Sequence, residues 1–357
     1  MKKLSRRNVL AAPFILVPLT AQETQAQARW QVATAYPDGN FHTRNIRSFL
    51  DEVKAQTGID AQLHSNGSLL PMPQIKRGVQ QGQVQIGEIL LSAYGNDDPF
   101  FEVDSIPQLA WTDEQARKLA TLSRPYIEAR FQRQGLSVLY SVPWPPSGFY
   151  TNVPVENLEV LRGSRMRTFN AMTNRFATLL GATPTLVQAA EVPQAFATGV
   201  VNSMVTSAAT GVDSAAWDFA KVFTPIGFTR THNVIFVQRR AFEALPAAQQ
   251  TAMREAAKRA EDRGWALSAE ARDAAQATLA AQLTQVPEPP HRTLKDIPEP
   301  LSALIMHCLE KDADKRPPSA LALLGQLEAL PPLSATSSGA ASVLGSRPAG
   351  RQPRAAV

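Results

Sequence analysis

The chain has few of the residues that make cross-links, metal sites or phosphate-binding loops. Its 357 residues include a single cysteine, Cys308, which excludes an intramolecular disulfide. No spacing of cysteine and histidine fits a metal site, and no glycine-rich phosphate loop is present, so we expect neither a metal nor another cofactor. Stability must therefore come from a buried core. The roughly 330 residues that follow residue 28 are enough for two domains of ordinary size.

The chain also lacks an apolar run long enough to span a membrane. Its first 28 residues instead resemble a signal peptide: four lysines and arginines within the first seven residues precede the apolar run Val9–Leu19, and Ala26-Gln27-Ala28 supplies small residues for cleavage. The run contains two prolines and is shorter than the roughly 20 apolar residues that a spanning helix needs. We therefore expect an exported, periplasmic protein that begins near Arg29.

The route of export has two interpretations. Ser5-Arg6-Arg7-Asn8-Val9-Leu10 resembles a twin-arginine signal, which would carry the protein across the membrane after it has folded. An ordinary secretory signal that happens to contain two adjacent arginines is the alternative.

Concentrated positive charge is missing as well. The whole chain has a formal charge of +5, but the leader contributes four basic residues and one acid, so the mature chain is left with about +2. Neither a stripe of lysines and arginines nor basic residues interleaved with stacking aromatics is present. Nucleic-acid binding is therefore excluded as an expected function.

Short apolar stretches alternate with longer helical patterns, which is typical of βαβ units and predicts the α/β class with a largely parallel sheet. The predicted strands are Trp30–Ala35, Ala61–His64, Val84–Ile89, Leu136–Val142, Ser164–Thr168, Val200–Val205 and Asn233–Gln238. The predicted helices before residue 230 are Thr43–Gln56, Met72–Gln80, Ala171–Leu180 and Glu191–Thr198.

Three later segments complete the predicted organisation. The rigid, proline-rich segment Pro143–Gly148 is placed where the chain crosses between lobes, and the alanine-rich Pro246–Leu283 predicts one long helix that braces them. The composition changes abruptly at residues 286–290, and a helical module, Leu301–Leu330, follows. The last residues, Pro331–Val357, have too few apolar side chains to fold, so we expect a disordered tail.

Residues 29–285 resemble the solute-binding subunits of TRAP transporters, the DctP-type family. The matching stretches occur in order and at matching spacing: Tyr36–Thr43, His64–Leu69, Gly82–Glu88, Arg162–Arg167 and Glu191–Asn202. The resemblance implies a two-lobed periplasmic binding protein fold, with crossing hinge strands and a long helix that spans both lobes. We expect lobe I to comprise residues 29–145 plus 233–265, and lobe II residues 146–232 plus 266–285.

The resemblance also implies a non-enzymatic receptor. Such a protein captures a small organic carboxylate, closes over it, and docks peripherally on the membrane subunits of the transporter. The aromatic residues near the crossing favour a monocarboxylate, such as a 2-oxo or hydroxy acid, over a sialic acid, while dicarboxylates stay open.

Arg167 is the principal candidate site residue. The family has a Gly-x-Lys-x-Arg-like run whose last arginine grips the ligand carboxylate, and Gly163–Arg167 places Arg167 at that position. A guanidinium is always charged and presents paired N–H groups that match carboxylate oxygens. Taken without the resemblance, an arginine at a strand end is more often a solvated surface charge.

The polar residues after two strands are the next candidates. Several family members place an asparagine soon after a Val-Val-Asp-Gly-like strand, where this chain has Thr206 followed by Ser207. These hydroxyls either donate to the ligand or simply end the strand. We also assign Asn170, which follows the strand of Arg167, to the candidate site.

The first strand-to-helix loop supplies three more candidates, because the resemblance implies that this loop reaches the cleft. They are Asn40, Phe41 and His42. Loops at the carboxyl ends of strands form the expected binding surface of an open α/β sheet. The alternatives are a helix N-cap for Asn40 and a packed loop for the two ring side chains.

Glu88 and two aromatic residues complete the predicted site. Glu88 ends an apolar strand, where a carboxylate needs a partner, and it either accepts from a ligand hydroxyl or holds Arg167 or a loop amide. Trp144 and Tyr150 flank the crossing, and they either pack against the ligand or fill the hinge.

The segment from about residue 290 to 330 resembles the end of a bacterial serine/threonine protein kinase domain. The residues that carry this resemblance are Pro298–Leu301, Ile305, Cys308–Asp312 and Arg316-Pro317. No kinase function follows, because the chain has no glycine-rich phosphate loop and no catalytic or metal-binding aspartate motif. A fusion or a reading-frame accident that replaced the original C-terminus is the hypothesis.

Two other functions compete with the receptor. A periplasmic enzyme would use Glu88 and His42 as acid and base on a carboxylate, although no nucleophile or metal motif accompanies them. A signalling adaptor would act through the C-terminal segment.

Overall fold

We analysed a computed structural model of the chain, which describes residues 29–284, 288–294, 297–310 and 315–330. The predicted signal peptide and the predicted disordered tail lie outside the described residues. Along the described chain, the strands are β1 (Trp30–Ala33), β2 (Ala61–His64), β3 (Ile86–Leu90), β4 (Leu136–Pro143), β5 (Ser147–Thr151), β6 (Arg165–Thr168), β7 (Thr183–Leu186), β8 (Ser203–Ser207), β9 (Val222–Pro225) and β10 (His232–Gln238).

The helices alternate with these strands, as the α/β prediction requires. They are α1 (Phe41–Thr57), α2 (Met72–Gln80), α3 (Asp113–Arg133), α4 (Ala171–Leu179), α5 (Val192–Ala197), α6 (Ala208–Asp213), α7 (Arg239–Glu243), α8 (Ala247–Thr284), α9 (Pro290–Thr293), α10 (Glu299–Cys308) and α11 (Ala320–Glu328). Short 3₁₀ turns at Leu91–Tyr94 and Pro99–Ser105 follow β3. None of the helices in the described ranges is both long and apolar enough to cross a bilayer.

The strands form two sheets. The first sheet has the order β2-β1-β3-β10-β4, and the second has the order β7-β6-β8-β5-β9. In each sheet one strand reverses the direction: β10 is antiparallel to β3 and β4, and β5 is antiparallel to β8 and β9. The sheets are therefore mixed, whereas a largely parallel sheet was predicted. The chain forms β1–β4 of the first sheet, then β5–β9 of the second sheet, and returns to the first sheet as β10. Two segments therefore cross between the sheets, one between β4 and β5 and one between β9 and β10.

Helix α1 shows how the sequence sets an element that positions the site. The helix begins after Asn40, whose side chain accepts a hydrogen bond from the backbone N–H of His42 at 2.8 Å. It ends at Gly58, which adopts a left-handed conformation with φ of 73°. Its buried apolar side chains recur every three or four residues, which is the spacing of one helix face: Ile46, Phe49, Leu50 and Val53.

Helix α8 is the predicted long helix, and it runs for 38 residues. It packs against α1 and β4 on the side of the first sheet and against α6 on the side of the second sheet. Gly264 permits the close approach to β4, because a Cβ atom there would lie 2.3 Å from a methyl group of Val142. The expectation of a long helix that spans both halves is confirmed.

Some elements were not predicted. The proline-rich segment expected only as a rigid crossing leads directly into β5, and helix α3 has no strong apolar face and contains Pro125. The predicted helical module Leu301–Leu330 contains two helices in its described part, α10 and α11, and Pro317-Pro318 lies just before α11, where proline does not continue a helix.

Candidate functional site

A pocket lies between the two sheets. It encloses about 450 Å³ of empty space, part of which is open to solvent. Its lining combines aromatic rings, hydroxyl groups and one guanidinium, and consists of Tyr36, Met72, Leu90, Trp144, Ser147, Arg167, Phe169, Gln188, Ala189, Thr206, Ser207, Thr210 and Thr231. An apolar lining with a few convergent polar groups is the usual character of a small-molecule site.

Arg167 is the buried charge of this pocket. It lies on β6 with only 3% of its surface exposed, and its Nε donates to the carbonyl oxygen of Val187 at 3.0 Å. Its Nη1 is buried and has no hydrogen-bond partner within the described structure. The guanidinium lies 5.5 Å from the centre of the Phe169 ring. Burial lowers the pKa of Arg167 to about 10, so the group keeps its charge at neutral pH. A buried cation with a free donor is suited to hold an anion.

Two hydroxyl residues at the end of β8 face the same pocket. Thr206 lines it directly. Ser207 lines it as well and caps α6, since its Oγ accepts from the backbone N–H of Thr210 at 3.1 Å. Ser207 thus ends the strand, as one of its two alternatives predicted, and donation of its hydroxyl to a ligand stays a prediction.

Asn170 and Asn40 lie at contacts between the part of the molecule around the first sheet and the part around the second sheet, which we call the two halves. Neither is among the residues that line the pocket. Asn170 caps α4, and its Nδ2 donates to the hydroxyls of Ser92 and Ser105, at 3.0 Å each. Asn40 caps α1, and its Nδ2 donates to a carboxylate oxygen of Asp213 at 2.6 Å. These side chains join the first-sheet side of the molecule to the second-sheet side.

A further contact between the halves lies beside Asn170. The backbone N–H of Met172, in the first turn of α4, donates to Glu102 at 3.0 Å. A carboxylate at the first turn of a helix also interacts favourably with the helix dipole. The short segment from residue 92 to residue 105 therefore holds α4 through side chains at several points.

Glu88 is fully buried and lies behind the pocket wall rather than on it. Its carboxylate accepts from the hydroxyl of Thr34 and from the Nδ2 of Asn233, the latter at 2.9 Å. The Nδ1 of His42 lies 3.5 Å away. Burial raises the pKa of Glu88 to about 7. Arg167, one of the partners that the sequence left open for this carboxylate, makes no recorded contact with it, and the carboxylate is held instead by Thr34 and by Asn233 of β10.

His42 and Phe41 belong to an aromatic cluster. The ring of His42 lies 4.1 Å from that of Phe41, 4.4 Å from Trp144 and 5.9 Å from Tyr36, measured between centroids. Both ring nitrogens of His42 are buried without a hydrogen bond in the described structure. Burial, followed by repulsion from His232, holds the pKa of His42 well below its usual range. A neutral, packed histidine results, and it does not line the pocket.

The two predicted aromatic residues separate in the structure. Trp144 lines the pocket, and its indole Nε1 donates to Oδ1 of Asn233 at 2.8 Å. Tyr150 is fully buried in the second sheet, where its hydroxyl donates to the carbonyl of Ser207 at 3.1 Å. Tyr150 supports the strand end that carries Ser207 and does not line the pocket.

Nine of the thirteen residues that line the pocket were not among the predicted site residues, and Asn233, which lies behind the wall, was not predicted either. Tyr36 lines the pocket, and Asn233 connects it to the buried network behind the wall. Tyr36 lies within the first matching stretch and was not singled out. Asn233 is an amide at the start of an apolar strand, and such a residue needs hydrogen-bond partners when it is buried, which was the available signal.

Comparison with known proteins places the chain among solute receptors. The sequence model described as "Bacterial extracellular solute-binding protein, family 7" (DctP) matches residues 32–312. The match continues past residue 285, where the resemblance was expected to end. The kinase resemblance of residues 290–330 finds no support in the comparisons.

Solved structures extend this result. The extracytoplasmic solute receptor DctP7 of Bordetella pertussis, which binds pyroglutamic acid, is 40% identical, with 84% of this chain and 99% of that chain covered and a TM-score of 0.71. The DctP6 receptor of the same organism, which also binds pyroglutamic acid, is 33% identical, with 84% and 99% covered and a TM-score of 0.70.

A TRAP solute-binding protein from a marine metagenome, specific for pyroglutamate, is similar as well. It is 30% identical, with 85% of this chain and 99% of that chain covered and a TM-score of 0.70. The proteins of this group are substrate-binding receptors for transporters, and nothing in the comparisons supports the enzyme alternative. On this evidence, the chain belongs to the bacterial extracellular solute-binding proteins of family 7.

Proposed function

We propose that this chain is the periplasmic receptor of a TRAP transporter and that it binds pyroglutamate, a small cyclic monocarboxylate. Three solved receptors that are at least 30% identical over most of their length bind this compound. The signal-peptide pattern of the first 28 residues supports export, and the family supports delivery to membrane subunits.

The free guanidinium donor of Arg167 is the observation that carries this proposal. A buried donor without a partner costs roughly 1–3 kcal/mol, and more when the group is charged. A ligand carboxylate removes this cost and also neutralises the buried charge. The site therefore selects for an anion.

The rest of the lining supports a small, flat ligand. Tyr36 and Trp144 on one side and Phe169 on the other provide aromatic surface for a carbon skeleton. Thr206 and Ser207 provide hydroxyls, which are able to donate and to accept, and therefore suit an amide of the ligand. Pyroglutamate combines a carboxylate, an apolar ring edge and a lactam.

Closure of two lobes completes the proposed function. The proposed lobes are residues 29–145 plus 233–265 and residues 146–232 plus 266–285. Asn170 and Asn40 then make their hydrogen bonds across the cleft only when it is closed. A ligand that contacts both lobes favours the closed form by its differential affinity. The closed form is the one that docks on the membrane subunits.

Calorimetric titration of the mature chain tests the proposal, after unfolding and refolding to remove any co-purified ligand. Two compounds are compared: L-pyroglutamate and its carboxamide, which lacks the charge. We expect pyroglutamate to bind and the carboxamide to bind at least 100-fold more weakly. At about 100 times its Kd, pyroglutamate adds roughly 2.7 kcal/mol of stability, visible as a rise in Tm. Equal affinity for acid and carboxamide would overturn the role of Arg167, and no binding of pyroglutamate would overturn the proposed ligand.

A further inference from the structure

Two aromatic side chains of the pocket wall depend on a single amide behind them. Trp144 donates its indole N–H to Oδ1 of Asn233 at 2.8 Å, and the hydroxyl of Tyr36 lies 3.4 Å from the same oxygen. Both rings line the pocket, and their centroids are 5.0 Å apart. Asn233 is fully buried at the start of β10.

The chemistry of the donors fixes the orientation of this amide. An indole N–H only donates, so it needs the oxygen end of the Asn233 carboxamide. The amide nitrogen then has to point away from Trp144 and find an acceptor there. Glu88 provides that acceptor, with 2.9 Å between Nδ2 and Oε1. An amide turned by 180° would set N–H against N–H at Trp144 and oxygen against carboxylate at Glu88.

Glu88 is itself held on its other side. Its second oxygen accepts from the hydroxyl of Thr34, and the hydroxyl oxygen of Thr34 accepts from the backbone N–H of Tyr36 at 3.2 Å. The carboxylate is thus linked to Trp144 through Asn233 and to Tyr36 through both Asn233 and Thr34.

We propose that Glu88 and Asn233 are positioning residues, which set the geometry of Trp144 and Tyr36 on the pocket wall and thereby the affinity for the ligand. The inference rests on the proposed function for the identity of the ligand. The hydrogen bonds that link Thr34, Glu88 and Asn233 to Tyr36 and Trp144, which we call the relay, are measurable without any ligand. A buried carboxylate is an expensive way to fill space, because an apolar side chain of similar volume would avoid its desolvation. The relay gives the carboxylate a role that an apolar side chain cannot fill.

The direct test observes the indole N–H of Trp144 by NMR. Trp144→Phe identifies the signal by its loss. We expect Asn233→Leu, which removes the acceptor, to move this signal upfield, as a weakened hydrogen bond does, and to lower the affinity for pyroglutamate by about tenfold or more. Glu88→Gln still accepts from Asn233 and is expected to retain most of the signal position and of the affinity.

Asn45→Leu is the matched control. Asn45 is another buried amide, whose Nδ2 donates to the carbonyl of Ala260 at 2.8 Å, in the packing of α1 on α8. This variant loses stability in the same way and is expected to leave the Trp144 signal unchanged and the affinity within about twofold.

A pH titration of the unliganded wild type needs no variant. The titratable groups around Glu88 are His42 of α1, Tyr36 after β1 and Tyr140 of β4. Burial lowers the pKa of His42 and raises the pKa of both tyrosines, whereas that of Glu88 is about 7. The Trp144 signal is therefore expected to shift with a midpoint near pH 7 in the wild type and to stay constant in Glu88→Gln.

The outcomes separate this inference from the proposed ligand. If the wild type does not bind pyroglutamate, the proposed ligand is wrong and the NMR signal alone decides the relay. An indole signal that is the same in Asn233→Leu and in the wild type would refute the relay, and a wild-type signal that does not shift with pH would show that the charge of Glu88 has no effect on Trp144. A shifted signal with unchanged pyroglutamate affinity would show that the relay does not control binding.

Discussion

Each side of the pocket has one buried ionisable side chain, Glu88 or Arg167. The two differ in whether their hydrogen bonds are all made within the fold. On the side of the first sheet, the Glu88 carboxylate accepts from Thr34 and Asn233. On the side of the second sheet, Arg167 donates through Nε to a backbone carbonyl while its Nη1 has no partner in the described structure. Both residues are almost completely buried.

Glu88 is therefore a supporting charge, whose hydrogen bonds are made within the fold, and Arg167 is a receiving charge, which keeps a donor for a ligand. A buried charge whose hydrogen bonds are satisfied within the fold has little left to offer a ligand. A buried charge with a free donor keeps part of its desolvation cost until something enters the pocket. This is why a chain can bury both charges around one cleft and still bind through only one.

The largest expected effect tests the receiving side. Arg167→Met keeps an unbranched apolar stem but removes the guanidinium and its charge, and we expect the affinity for pyroglutamate to fall at least 100-fold. The ligand-free protein should be as stable as the wild type or more stable, because replacing a buried charge by an apolar side chain often stabilises a fold. Calorimetry and thermal unfolding without ligand measure the two quantities.

Arg165→Met is the control for that variant. Arg165 lies two residues earlier on β6, is exposed, and donates through Nε to the carbonyl of Gly199 at 2.8 Å. Its removal is expected to change the affinity by less than about twofold. Equal losses in both variants would mean that general positive charge, and not the buried donor, attracts the ligand.

The next prediction concerns the pH dependence of stability that Glu88, the supporting charge, causes. Burial raises the pKa of Glu88 from 4.5 to about 7, so the folded state binds its proton more tightly than the unfolded state does. The stability that this proton contributes is complete below about pH 4.5 and is lost as the pH rises through 7. A shift of this size corresponds to roughly 3 kcal/mol.

Urea unfolding between pH 5 and pH 8 measures that loss. We expect the difference in free energy of unfolding between Glu88→Gln and the wild type to increase with pH in favour of the variant. Glu159→Gln, which alters an exposed glutamate, should keep the pH dependence of the wild type. A Glu88→Gln curve parallel to that of the wild type would contradict the raised pKa.

A smaller effect concerns the hydrogen bonds that join the two sides. Asn170→Ser keeps the cap of α4, since serine is also a good N-cap residue, but it is too short to reach Ser92 and Ser105. Two net hydrogen bonds of about 1 kcal/mol each correspond to roughly a 30-fold loss of affinity, if both form only on closure.

The exposed cap residue Asn157 offers the comparison for that substitution. Its side chain accepts from the backbone N–H of Glu159 at 3.0 Å, and it makes no contact across the cleft that the structure records. Asn157→Ser should leave the affinity unchanged. If Asn170→Ser also leaves it unchanged, the contacts between the halves do not depend on closure.

Much of the fold was predictable, because periodicity and cap residues act locally. The strand Ala61–His64 and the helix Met72–Gln80 have the predicted bounds, and the long helix differs from the prediction by one residue at each end. Helix α3 was missed because its apolar face is weak. The antiparallel direction of β10 and β5 is set by pairing with strands distant in sequence, which no local pattern reports.

The candidate site was predictable to a lesser extent. The sequence assigned Arg167, Thr206, Ser207 and Trp144 to the site, and all four line the pocket. Residue type does not show whether a polar group is already satisfied. Glu88 therefore looked like a ligand contact, whereas Asn233, which holds it, lies 145 residues away and was missed.

The smallest expected effect tests whether losing a partner matters for a charge that is exposed to solvent rather than buried. Arg162 is paired with Glu159 at 2.8 Å, and both side chains are mostly exposed. Arg162→Ala should leave the Tm and the pyroglutamate affinity within experimental error, because water replaces the lost partner at an exposed site. Adding 0.5 M NaCl should likewise leave the difference between variant and wild type at zero, since a surface pair is already screened. A clear drop in Tm would mean that partner number matters even in water, and the contrast between Glu88 and Arg167 could then no longer be attributed to burial.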